Sequence, residues 1–156
     1  MSTSTAAIAN DSLSSLLDLN QTDLNALYSV GRAGEIPDGD SHGRAIFFPG
    51  TLLNVPTSVL ASLIWQGKVF DTKDGVLLNK VFGFRAIKAR VYKGKSWFDG
   101  QESIIVDYQG TSLAAGWIRD EIREISPGIF LGRAYARTWL GSFFLLNFAL
   151  GFDDVI

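Results

Sequence analysis

The chain has 156 residues, 47% hydrophobic and 19% charged, which is the length of one domain of roughly 100–200 residues and not the composition of a disordered chain. Fourteen Lys and Arg against sixteen Asp and Glu leave a formal charge of -2, so no general positive field exists to collect nucleic acid or anionic lipid. The absence of cysteine excludes disulfides, thiolate nucleophiles and cysteine metal sites, and is compatible with a reducing, cytoplasmic setting.

Residues 1–10 are mostly small and polar, with neither the basic residue nor the apolar run of a secretory leader, and are expected to be a flexible N-terminus. Residues 11–156 are expected to form a single domain, since no repeat, charge block or low-complexity linker divides them. The spacing Leu13, Leu16, Leu17 and then Leu24, Leu27, Tyr28 predicts one broken helix or two short ones, with Asp11 or Ser12 and later Thr22 as N-caps and Gly31 as the stop.

Gly34 to Asp40 is dense in turn residues and feeds a strand at Arg44–Phe48, with His42 read as a turn residue. A second helix is predicted between Asn54 and Gly67, with Pro56 near its first position and Val59, Leu60, Leu63 and Ile64 as an apolar stripe that plugs one end of a sheet.

Everything after Gly67 reads as strands: Lys68–Asp71, Val76–Phe82, Arg85–Tyr92, Glu102–Tyr108, Ala115–Ile125, Ile129–Thr138 and Phe143–Leu150, with Gly-containing turns between them. The apolar run Trp139–Phe152 is broken by Gly141, Ser142 and Asn147 and is shorter than the ~20 residues of a membrane helix. It has two readings, one in which it closes a barrel and one in which it pairs with another subunit to give a homo-oligomer. The expected fold is mainly β: a single antiparallel up-and-down β-barrel preceded by N-terminal helices, a closure that removes exposed edges.

Period-two alternation divides the charged strand into Trp117, Arg119, Glu121, Arg123 and Ile125 on one face and Ile118, Asp120, Ile122 and Glu124 on the other. If the first face is interior, Arg119 and Arg123 are guanidiniums able to grip a carboxylate, with Glu121 offsetting part of their charge. If it is exterior, the same residues form a solvated cross-strand ladder.

Tyr108 is a candidate to orient or protonate a carbonyl at the mouth of a cavity, or else a half-buried packing residue. Arg85 is placed at the rim, on the face of Ile87, Ala89 and Val91, with Lys88 and Arg90 outside. His42, the only histidine, cannot build a multi-histidine site, and neither the scattered aspartates nor the glycines match a calcium or phosphate loop. No metal or cofactor is expected.

Ile64-Trp65-Gln66-Gly67-Lys68-Val69-Phe70-Asp71 resembles the W-x-G-K-x-F-D segment of small bacterial lipocalin-like barrels of the G-x-W-x-G family. Ala89 to Gly94 is similar to their A-R-x-x-x-x-G strand, and the order continues through Val106-Asp107-Tyr108, Ile118 to Arg123, Phe130-Leu131-Gly132 and Phe143-Phe144. The G-x-W-x-G itself is missing, because Gly31 to Gly39 holds no Trp. The resemblance implies a calycin-type barrel.

Three functions follow as expectations. The first is a binder of a small hydrophobic or amphipathic molecule, fatty-acid-, terpenoid- or polyketide-like, held by Arg119, Arg123, Trp117, Arg85 and Trp65. The second is a cofactor-free isomerase or cyclase in the same pocket, with Tyr108, Glu121 and Arg119 as its catalytic groups. The third is an interaction domain whose barrel is filled by its own side chains.

Overall fold

A computed structural model describes residues 13–46, 67–71, 73–81, 84–111 and 115–152. A short 3-10 helix, Leu13–Asp18, precedes one α-helix, α1 (Gln21–Val30). The N-cap is Asn20, whose side chain accepts a 2.9 Å bond from the Asp23 N–H, and not Thr22 as the sequence suggests. Gly31 ends the helix as expected, its N–H reaching the carbonyls of Leu27 and Tyr28.

The rest of the described chain is mainly β. Eight strands follow: β1 (Gly39–Ile46), β2 (Gly67–Asp71), β3 (Val76–Val81), β4 (Phe84–Lys95), β5 (Glu102–Asp107), β6 (Ile118–Ser126), β7 (Ile129–Thr138) and β8 (Gly141–Phe152). Each pairs antiparallel with the next in sequence, the meander expected from the turn spacing. Besides β7, β8 also pairs with β1, from Ser41 opposite Phe152 to Ile46 opposite Asn147, so the hydrogen-bonded order forms a ring. His42 therefore lies in β1, opposite Gly151, and not in a turn.

The turns carry the residues their geometry demands. Gly128 follows Pro127 between β6 and β7 at φ 72°, a backbone conformation that side-chain-bearing residues rarely adopt. The second predicted helix, between Asn54 and Gly67, falls almost wholly on residues 47–66, outside the described residues. Among the described residues, no helix is long and apolar enough to cross a membrane.

Two apolar clusters lie on opposite sides of the strands. The inner one joins Phe70, Val91, Ile104, Val106, Ile118 and Phe148 with others inside the ring. The outer one joins Leu16, Leu24 and Tyr28 to Ile129, Leu131 and Ala149, and is what seats α1 on the outer wall. Burial of a side chain such as Leu24 is worth roughly 1.5–3 kcal/mol, enough to hold a helix of 10 residues that would be marginal alone. After α1 the chain bonds to β6 through Arg32 and Glu124, and Ala33 and Ile36 turn in against the inner cluster.

Candidate functional site

The register places Val91, Val106, Asp120, Ala134 and Leu146 side by side across β4 to β8. The four apolar members belong to the inner cluster, so this row faces the interior and contains one carboxylate. Tyr108, just past the end of β5, donates a 3.3 Å hydrogen bond from its hydroxyl to Asp120 Oδ2. Both residues are buried, and Tyr108 itself packs in the inner cluster. A phenol and a carboxyl group thus meet among apolar side chains, where a polar interaction is stronger than in water.

Beside this row runs a second, Ile104, Ile122, Gly132 and Phe148. Ala33, which packs against the interior, also lines an open cleft of about 460 Å³ between residues 31–35 and the strands carrying Lys93 and Glu102.

The face of β6 with Arg119, Glu121 and Arg123 points the other way, to the outer wall, yet all three are buried. Neither expectation for these residues holds: they do not line the interior, and they are not a solvated ladder. The cover is α1 together with the turn after β4. Glu121 accepts from Arg119, from Ser96 Oγ at 2.5 Å, from the Trp97 N–H at 2.6 Å and from Tyr28 Oη at 3.3 Å. Arg123 donates to both oxygens of Asp99, at 2.7 and 2.6 Å, and to Ser103 Oγ and the Tyr28 carbonyl.

The aromatic rings of this wall stack with its guanidiniums. Arg119 lies 4.1 Å from the Trp97 ring centre and Arg123 4.4 Å from that of Tyr28. Hydrogen bonds from Arg123 hold the Asp99 carboxyl below the ordinary range, and burial, helped by the charge of Glu121, pushes the Tyr28 phenol well above its own. At the end of β5, Asp107 pairs with Arg137 at 3.1 Å; burial alone would raise its carboxyl, but the Gln109 N–H and Arg137 outweigh it and hold it low.

The proposed catalytic trio is therefore split by the sheet: Tyr108 is inside, and Glu121 and Arg119 are outside. Trp117 departs from its expected face as well, because β6 begins at Ile118 and the turn before it lets the indole pack against the inner cluster. Arg85 lies in β4 opposite Lys80, with its side chain outside the described set, and Trp65 lies outside the described residues. Asp120 was the residue that sequence reasoning passed over. Its signal was its place between Ile118 and Ile122, a charge on the more apolar face.

No family model matches the sequence, and no curated protein matches it. The chain is similar in structure to a solved protein described as "Crystal structure of protein from Thermomonospora curvata", with a TM-score of 0.60, 17% identity, and coverage of 94% of this chain and 96% of that one. At that identity the likeness is one of fold.

Proposed function

We propose that the protein binds a small amphipathic molecule inside a lipocalin- or calycin-like up-and-down barrel, with the apolar body against Val91, Val106, Ala134 and Leu146 and the polar end at Tyr108 and Asp120. The observation that carries this reading is the row of five register partners in which Asp120 is the one polar member. An apolar enclosure with a few convergent polar groups is the usual form of a small-molecule site. The 3.3 Å contact of the Tyr108 hydroxyl with the Asp120 carboxyl favours a second reading, a cofactor-free isomerase or cyclase in which this pair moves a proton on the bound molecule.

The test is titration of the purified protein with the neutral apolar dye N-phenyl-1-naphthylamine. Saturable uptake at one site, abolished in Val106→Trp or, should that variant not fold, in Ala134→Leu, supports an interior site. The absence of saturable uptake, or uptake that both filling substitutions leave intact, overturns it. Asp120→Asn then separates the two readings, because it leaves dye uptake in place and removes any conversion of a ligand recovered with the protein.

A further inference from the structure

Arg133 on β7 is 5% exposed, and its guanidinium sits among four rings: 4.1 Å from the centre of Phe98, 4.3 Å from Phe144, and 5.7 Å from both Tyr28 and Tyr135. Its Nε donates to the Tyr135 hydroxyl at 2.9 Å and its Nη1 to Asn25 Oδ1 at 2.7 Å, both neutral acceptors. Among the described residues, Nη2 makes no hydrogen bond and, not being fully enclosed, keeps some contact with solvent, and no carboxylate stands within ion-pair distance of the group.

The register partner of Arg133 across the strand is Glu121, but that carboxylate is taken by Arg119, Ser96 and the Trp97 N–H. Asp99 is bonded by Arg123 and feels the charge of Arg133 only at a distance, without an ion pair to it. Arg137 on this wall is paired with Asp107, so among the described residues the wall holds four guanidiniums, Arg119, Arg123, Arg133 and Arg137, against three carboxylates, Glu121, Asp99 and Asp107. A buried cation is costly to leave uncompensated, and aromatic faces offset only part of the cost.

We propose that Arg133 is the centre of a binding site for one small oxyanion, a carboxylate or a phosphate, on the outer wall beneath α1 and apart from the interior site. The anion bonds to Nη2 and supplies the missing negative charge. Nη2 is not fully enclosed, and the groups beside the guanidinium, Asn25 and Phe144, are only half-buried, so the approach to it runs past them. A planar guanidinium with a donor to spare suits a carboxylate or phosphate oxygen better than it suits chloride.

The experiment is calorimetric titration of the full chain with benzoate and with inorganic phosphate, at an ionic strength matched with sodium chloride. One site per chain is expected, and the stronger of the two titrants tells a carboxylate from a phosphate source. Arg133→Met is expected to weaken binding about tenfold or more, the equivalent of one charge-assisted hydrogen bond. Asn25→Asp places a carboxylate against Nη1 from an exchangeable helix position; it is expected to abolish anion binding and raise the melting temperature. Absence of a saturable site, or anion binding that survives Asn25→Asp unchanged, overturns the proposal.

Discussion

Phe148 on β8 lies over Gly132 on β7, its register partner, so closely that a methyl group at Gly132 would overlap three carbons of the ring. The glycine is there to admit the ring and not for its backbone freedom. Both residues sit in the inner row with Ile122, where Phe148 is fully buried.

Gly132→Ala, which would ordinarily favour a strand, is expected to destabilise the protein by about 1–3 kcal/mol through overpacking. Chemical denaturation measures it. Adding Phe148→Leu to Gly132→Ala is expected to recover part of the loss, and an additive pair would show that the ring is not the cause.

Glu121→Gln leaves the Arg119 guanidinium without its carboxylate in a buried setting. Removal of one partner of such a pair is expected to cost about 3–5 kcal/mol. Trp97 takes part through both its N–H and its ring, so its emission is expected to shift as the turn after β4 loosens.

Asp99→Asn acts on a less enclosed pair, with 22% of the Asp99 side chain exposed, and is expected to cost about 1–3 kcal/mol at neutral pH. Because the folded carboxyl is held low, its contribution is complete above the ordinary carboxylate range and is lost as pH falls through the lowered value, where the unfolded chain binds more protons. The variant is expected to show a flatter decline of stability on the acid side, read from denaturation midpoints across pH.

Tyr28→Phe has its effect at the other end of the scale. The folded phenol is raised, so Tyr28 contributes fully below its ordinary value of about 10 and progressively less as pH rises above it, where the unfolded chain gives up the proton more readily. The variant loses the 2.8 Å bond to Ser103, worth about 1 kcal/mol, and is expected to unfold less steeply in alkali. Tyr135, raised for the same reason of burial, leaves a residual alkaline slope.

Much of the β architecture was legible because alternation and turn chemistry are local. Gly75, Gly100, Gly110 and Gly128 all adopt positive φ at the predicted turns, and Ala89 and Val91 are buried while Lys88 and Arg90 are exposed, as the pattern required. The extra length of β4, to Lys95, was not legible, because Lys93-Gly94-Lys95 carries a turn signature that pairing with β5 overrides.

The sequence by itself determined that residues 117–125 have two faces and which residues share each, since side chains alternate along any strand. It could not determine which face is interior, nor that the outer face would be covered. That was decided by contacts between residues far apart in the chain, such as Arg123 with the Tyr28 carbonyl, 95 positions away. A charge on a strand is solvated or buried according to what packs over it, and α1, seated by its own apolar residues, together with the turn after β4 encloses these charges in a network.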